Sequence, residues 1–566
     1  MEEKQKQSKF KQIMLKRVNI NINFTIVAII LIIIFSISIT PVTFQNDTFY
    51  TIKIGELIKN NGIDMMDHFS WHENLNYTYP HWLYDLCTYL IYSVAGFKGI
   101  YITTCALCAI LGLSIFYVVS KITKNKSISF VITILALFML QPYIAARAQL
   151  VTFILFIWEI YCIEKFIENG KIKYGIALII ISLLIANLHT ATWPFFFVLF
   201  MPYIAEYLIA IISDMVIYKK IKIFKLKNKI KRADKKKIEP EKLEKMKSKL
   251  KNLESKVSKI KIKREADKEN SYKLIINKNK NVKFLIIIII LCVLTGLLTP
   301  IGDTPYTYLY KTMKGNTTQN ISEHLPMTLA NNTDAMCALV VFLAILIFTK
   351  TKIKLSDLFM IAGLCYLMLS TRRQFSMFIL IGTIILTRLI VDLISRYTED
   401  GLKQAEEVAQ NIAVIIALTF LIGIWSYKNI VPKLDDKFVN ESSYPVAACD
   451  YILENIDLEN AKFYNEYNYG SYMLFRGIPV FIDSRADLYA PEFNENENED
   501  IFSDFINTSS ISKFYEKTFE KYNITHVIIG KKSKTNMIIS ETKDENYKEI
   551  YSDDSFVIYE RINAKK

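Results

Sequence analysis

Asp47, Asp64, Asp67, His68, His72, His81 and Asp85 crowd into one stretch, and that stretch holds half of the six histidines in the chain. Further along come Arg147 after Gln141-Pro142-Tyr143, then Asn187 and His189, Glu323 and His324, and the pair Arg372 and Arg373. Guanidinium groups bind phosphate bidentately. A carboxylate beside them can take the proton of an acceptor hydroxyl as a general base. Asp47 stands out among the carboxylates. It lies just past a long apolar run and opens an amphipathic segment (Phe49, Ile52, Ile54, Leu57, Ile58). His68 and His72 have the i, i+4 spacing of a helical metal pair, but Ser70-Trp71 and the turn signals around them read as loop. Asp67 and Asp85 read equally well as caps or loop carboxylates.

The elements that position these groups are apolar runs. Of the 566 residues 52% are hydrophobic, and they are gathered in stretches such as Val27–Ile39 and Phe284–Leu294 rather than alternating with polar ones. Runs of about 17–25 apolar residues match a hydrocarbon core of about 30 Å, and in lipid only a helix satisfies its own backbone. We read eleven spans, at 22–42, 99–120, 127–144, 148–168, 173–190, 193–217, 284–300, 334–350, 355–371, 373–395 and 408–427. The first run lacks a small-residue cleavage site and is read as a retained helix. Basic loops mark the cytoplasmic side. Lys4, Lys6, Lys9, Lys11, Lys16 and Arg17 therefore place the N-terminus inside, and the odd count places the C-terminus outside. Residues 82–96 are short for a span, and counting them would invert every later loop. With Trp82, Tyr84, Tyr89 and Tyr92 they read as an interfacial or re-entrant helix.

The fold class expected is thus a multi-pass helical protein of the cell membrane. It comprises a basic leader (1–21), six spans with a long first outer loop at 43–98 (22–218), a Lys-rich cytoplasmic insert (219–283), five more spans (284–432) and a small extracytoplasmic α/β domain (433–566). The insert holds 26 Lys/Arg against 8 Asp/Glu, net +18, so the rest of a chain of net charge +14 is about −4. Leu243, Met246, Leu250, Leu253, Val257 and Ile260 follow a 3,4 spacing, the seam of a helical hairpin or short coiled coil. Its charge suits anionic lipid head groups; nucleic acid is not expected. The terminal domain is acidic, with strands expected at Lys462–Tyr464, Pro479–Asp483, His526–Gly530 and Phe556–Arg561, helices at 444–455 and 511–522, and an acidic loop at Asn494–Asp500. The eight cysteines sit mainly in apolar runs and imply no disulfide framework.

By this parity the scattered carboxylates, imidazoles and guanidiniums all face the outer side, and their convergence would build a pocket for an anionic, lipid-linked substrate. The same residues carry a family resemblance. Asp47–Glu56 (DTFYTIKIGE), Asp67–Trp71 (DHFSW), Pro80–Leu83 (PHWL), Ala146–Gln149 (ARAQ), Asn187–His189 (NLH), Thr299–Tyr306 (TPIGDTPY), Glu323–Pro326 (EHLP), Thr371–Phe375 (TRRQF) and the stretch Phe463–Tyr489 occur in that order. With them the chain resembles the GT-C superfamily of membrane glycosyltransferases, and more closely a widespread group of bacterial membrane proteins of that architecture. It departs from the better-known branches in having Tyr79-Pro80-His81 where many carry a double proline.

The resemblance implies two juxtamembrane helices in the first outer loop, an essential acidic residue matching Asp47, a polyprenyl-phosphate-linked sugar as donor and transfer with inversion to a glycan, lipid or protein acceptor. In that reading Asp47 is the general base or anchors a divalent metal. Arg147 and Arg372 hold phosphate. Asp67, His68, His81, Asn187, His189 and Glu323 line the pocket. Asp483 and Arg485 either form a structural ion pair or contact the acceptor from above. Two other readings stand beside it. One is a transporter or flippase of lipid-linked glycans, which would favour internal repeats and midplane charges. The other is a non-catalytic envelope assembly or sensing protein.

Overall fold

The structure, a computed structural model, describes residues 24–212, 216–235, 240–270, 273–398, 400–494 and 500–562. The basic leader 1–21, most of the acidic loop 494–500 and the end of the sixth expected span lie outside the described residues.

The chain is a membrane protein built mainly of helices. Five of them, Trp82–Thr123, Lys126–Tyr143, Thr190–Ile212, Arg372–Tyr397 and Ile412–Leu434, are long and apolar enough to cross a bilayer. Five further apolar helices, Phe24–Ile39, Ile172–Leu188, Val282–Leu297, Thr333–Phe348 and Leu355–Ser370, are shorter. At 1.5 Å per residue a 16-residue helix reaches about 24 Å, less than the roughly 30 Å core. The run expected as a fourth span is the helix Ala148–Asn169, which carries Glu159, Glu164, Lys165 and Glu168 within its apolar stretch.

Away from Arg147, at the far end of that helix, a buried cluster ties the bundle. Arg388 donates to Asp357 at 2.7 and 2.9 Å and also to Glu164, which accepts from the Tyr203 hydroxyl at 3.2 Å. Residues from four helical segments meet there. A guanidinium shared between two carboxylates is the arrangement that lets charge persist in a low-dielectric interior.

Two features place the first loop. Helix Asn46–Asn61 lies against helix Trp82–Thr123 so closely that a Cβ on Gly55 would stand 2.1 Å from the Asp85 carbonyl oxygen. Helix Trp82–Thr123 breaks at Gly96, with φ 60° and ψ −154°, a region open essentially to glycine alone. The break falls where the short segment 82–96 was expected to end.

The insert is a helical hairpin, Val216–Lys235 and Pro240–Asn270. Leu243, Met246, Leu250, Leu253 and Val257 are half-buried, and Lys227 pairs with Glu254 at 2.8 Å; the Ile260 side chain lies outside the described residues. Beyond the hairpin, β1 (Leu274–Ile275) pairs parallel with β2 (Ile353–Lys354).

The C-terminal part contains a four-stranded sheet of β3 (Phe463–Tyr464), β4 (His526–Gly530), β5 (Tyr547–Ser552) and β6 (Phe556–Arg561), in the order β3-β4-β6-β5. The β3–β4 pair is parallel and the others antiparallel. Strand β5 was not expected. Conversely, Pro479–Asp483 does not form a ladder strand. The Asn465 side chain instead accepts from the Phe481 N–H at 2.8 Å and donates to the Ile482 carbonyl at 2.7 Å, while Val480 bridges to Ser70 of the first loop. These bonds satisfy the backbone that a sheet would otherwise satisfy. The C-terminal part also lacks a core of its own. Phe49, Tyr50, Ile54 and Tyr79 belong to one apolar cluster with Tyr444, Tyr472, Val480 and Ile528, and Phe49 meets Tyr444 and Tyr472 edge-on at 5.0 and 5.1 Å.

Gly55→Ala should cost about 1–3 kcal/mol, the scale of overpacking, because the added methyl meets backbone rather than a movable side chain. A melting temperature of the detergent-solubilised variant equal to that of the parent would show that the two helices can separate freely.

Candidate active site

Arg147 is the pivot. The helix Lys126–Leu140 ends in the turn Gln141–Tyr143, where Pro142 cannot donate to a continuing helix. The chain then runs extended into Arg147, the N-cap of helix Ala148–Asn169. Its guanidinium meets Asp47 at 2.7 Å and Glu323 at 3.3 Å. Asp47 occupies the first turn of helix Asn46–Asn61, where the helix dipole favours a carboxylate. Glu323 is held by backbone: its carbonyl accepts from the Arg373 N–H, and the Leu325 carbonyl accepts from that of Arg372, both at 3.0 Å. Burial alone would lower the Arg147 pKa, but the two carboxylates outweigh it and hold the charge more firmly than usual.

Beside this group opens a cavity of about 260 Å³ lined by Gln45, Tyr143, Arg147, Gln149, Glu323, Arg372 and Arg373 among others. Neither Arg372 nor Arg373 has a carboxylate partner among the described residues, and the buried Nε of Arg147 has no hydrogen-bond partner. Three guanidiniums thus face two carboxylates. Asp47 is not among the lining residues but is paired with Arg147, which is, and its side chain is 25% exposed; Gln45, Tyr143 and Gln149 were not singled out from the sequence.

His81, Asn187 and His189 do not line this cavity. They belong to a separate, hydrogen-bonded layer. His81 Nδ1 lies 3.1 Å from the fully buried Asp85, and its Nε2 lies 3.3 Å from the Tyr50 hydroxyl. His189 Nδ1 is 2.9 Å from the Thr152 hydroxyl, and the His81 and His189 rings are 6.0 Å apart. Asn187 accepts from the Trp82 indole at 3.2 Å and donates to the Leu183 carbonyl at 2.9 Å, so it brackets helices. Tyr50, three residues after Asp47 on the same helix face, is the member of this layer that sequence reasoning missed.

Asp67, Asp483 and Arg485 are placed elsewhere again. Arg485 donates to Asp67 at 2.6 Å and to Asp483 at 2.6 and 2.9 Å, and the Tyr489 hydroxyl adds a bond to Asp483 at 2.6 Å. The Arg485 side chain is 2% exposed and those of Asp67 and Asp483 1% and 0%, so this knot joins the first loop to the C-terminal part and presents nothing to the cavity. Burial would raise the Asp67 carboxyl, but the Arg485 charge and the Ser70 hydrogen bonds outweigh it and hold it below the usual range. The metal spacing dissolves too: His68 pairs with Asp64 at 2.6 Å, and His72 binds the Phe481 carbonyl at 2.9 Å. Burial pushes the His72 imidazole down to about 4, against a smaller opposing pull from the Phe481 carbonyl.

Arg485→Met should destabilise the fold by about 3–5 kcal/mol, since it strands two buried carboxylates; thermal unfolding measures this, and a loss under about 1 kcal/mol would contradict the knot. For His72 the unfolded chain takes up a proton near pH 6.5, the native chain only near 4. Its contribution is therefore intact above pH 6.5 and is lost as the pH falls toward 4. His72→Gln, which keeps a donor for Phe481, should flatten that part of the stability profile.

No protein-family model matches the chain, and no curated protein matches it. Among solved structures it is similar to the oligosaccharyltransferase of Archaeoglobus fulgidus. The crystal structure tethered through a disulfide to an acceptor peptide containing the NVT sequon aligns at 10% sequence identity and a TM-score of 0.49, covering 96% of this chain and 74% of that one. The apo crystal structure aligns at 10% identity and a TM-score of 0.49, covering 89% and 69%.

Proposed function

We propose that this chain is a membrane glycosyltransferase that moves a sugar from a polyprenyl-phosphate donor to an acceptor hydroxyl or amide at the outer membrane face, with inversion. The observation that supports the reading is the Arg147 guanidinium shared by Asp47 and Glu323 beside two arginines without carboxylate partners. Arg147 holds one oxygen of Asp47 and so fixes the direction of the other. That free oxygen takes the acceptor proton. The acceptor atom attacks the anomeric carbon as the bond from that carbon to the phosphate oxygen breaks. Arg372 and Arg373 neutralise the phosphate that leaves, a role suited to preorganised cations. In this reading the N-terminus is cytoplasmic and the cavity and C-terminal part face outward.

The alternative role of Asp47 as anchor for a divalent metal finds no support in the donor set. Among the described residues no three His, Cys, Asp or Glu side chains gather to ligate an ion, and the near neighbour of Asp47 is a cation.

Asp47→Asn should lower transfer by about 10²–10⁴, the usual weight of a general base, in protein that still shows a cooperative melting transition, since Glu323 remains to pair Arg147. The assay is transfer from a radiolabelled polyprenyl-phosphate hexose in proteoliposomes. Undiminished transfer by the variant removes Asp47 from the chemistry. A parent protein that transfers nothing but carries the labelled lipid between leaflets would replace the enzyme with the flippase. Arg372→Ala should lower kcat and kcat/KM together, as loss of an interaction with the departing phosphate does.

A further inference from the structure

The helix Thr304–Lys314 has two unlike faces. On one, the Tyr308 and Thr312 hydroxyls bond the Asp487 carboxylate of the C-terminal part, and Lys311 lies over the Phe493 ring at 5.7 Å. The other face is apolar and largely exposed. Tyr306, Leu309, Tyr310 and Met313 follow i, i+3, i+4, i+7 and are 41%, 40%, 63% and 73% exposed. A stripe with that spacing on a soluble surface would be an unpaid cost of hydration.

What covers the stripe is indicated by where the helix starts. The Tyr306 hydroxyl donates to the Val293 carbonyl at 2.7 Å, and its ring meets Trp193 edge-on at 5.3 Å. Val293 is the penultimate residue of the apolar helix Val282–Leu294, whose outward residues Ile287, Ile290 and Leu294 are 56%, 57% and 50% exposed. Leu297 and Leu298, 67% and 66% exposed, continue that surface toward the stripe. The stripe therefore extends a lipid-facing surface. Aromatic rings mark its junction, as at membrane–water boundaries, and at its far end the Lys314 ammonium lies over the Tyr310 ring at 4.8 Å, a long basic side chain laid along apolar surface.

We propose that Thr304–Lys314 is an in-plane helix whose Tyr306–Met313 stripe rests in the acyl region of the leaflet on the cavity side, and that through Asp487 it tethers the C-terminal part to the bilayer. The occupant is membrane lipid, and the proposal holds whether or not the chain transfers a sugar.

The test uses the full chain in nanodiscs of phosphatidylethanolamine and phosphatidylglycerol, with a diazirine side chain installed by codon suppression at Met313, Tyr310, Thr312 or, as a lipid-facing reference, Ile290. Photolysis and mass spectrometry identify what each probe touches. Expected are lipid adducts at Met313 and Tyr310 several-fold above those at Thr312, and links from Thr312 into residues 487–494. That last product also reports that the labelled protein is folded. If Met313 links instead to a second copy of the chain, or reacts only with water while Ile290 labels lipid, the proposal is overturned. If Thr312 fails to link to the Asp487 segment, the tether is overturned even where the lipid contact stands.

Discussion

A guanidinium shared between two carboxylates recurs among the described residues, and three such groups, each joining distant pieces of chain, decide where those pieces come to rest. Arg485 joins Asp67 and Asp483, Arg388 joins Glu164 and Asp357, and Arg147 joins Asp47 and Glu323. In an interior of low dielectric an unpaired charge costs several kcal/mol. Each trio therefore forms whole or leaves its members stranded. The three differ in how far water reaches them. The Arg485 side chain is 2% exposed, Arg388 14% and Arg147 24%. The first is closed off from water, the second is partly buried with every carboxylate engaged, and both hold elements together. The third stands beside a cavity with one nitrogen unbonded, which is why it, and not the others, is the candidate for chemistry.

The Arg485 trio explains why the first loop and the C-terminal part share a core. Asp67 and Arg485 are far apart in sequence, and bringing them together also brings Phe49 against Tyr444 and Tyr472 and Val480 against Ser70. Helix Asn46–Asn61 is thereby clamped between the C-terminal part and helix Trp82–Thr123, where Gly55 permits backbone contact. Asp47, at the start of that clamped helix, inherits a fixed position. The precision of the site thus rests on side chains that never approach it.

Much of this was legible in the sequence, for particular reasons. Apolar runs announce helices because lipid leaves no alternative, and among the described residues helices occupy the runs read as spans, five of them long and apolar enough to cross a bilayer. Their lengths were less legible, since five of the apolar helices are shorter than the hydrocarbon core is thick. Asp47, Arg147, Glu323 and Arg372, singled out because polar groups at the ends of apolar runs are costly unless used, lie together at or beside one cavity. Asp67 and Arg485 carry the same signature, and for them the structural alternative, an ion pair or loop carboxylate, is the one the structure shows; a sequence shows a charge but not whether its partner is protein or ligand. Arg388 was overlooked, although a lone arginine inside an apolar run demands partners. Pro479–Asp483 looks like a strand because β-rich residues fit any extended buried segment; its bonds run to the Asn465 side chain and to the first loop, which no local pattern reveals.

The turn at Arg372 and Arg373 shows how a site can be both rigid and electrostatically unfinished. Two backbone N–H groups fasten it to the carbonyls of Leu325 and Glu323, and the Tyr143 hydroxyl approaches the Arg372 carbonyl at 3.4 Å. The turn is fastened through its own main-chain groups, so among the described residues neither guanidinium is spent on an ion pair. The same bonds fix Glu323, so the carboxylate facing Arg147 and the cations beside it move as one unit. A fold that needed those two charges for stability would have given them acids, as it did for Arg388 and Arg485. Leaving them unpaired beside a walled cavity, with two carboxylates already claimed by Arg147, sets a positive field there that an anion would complete.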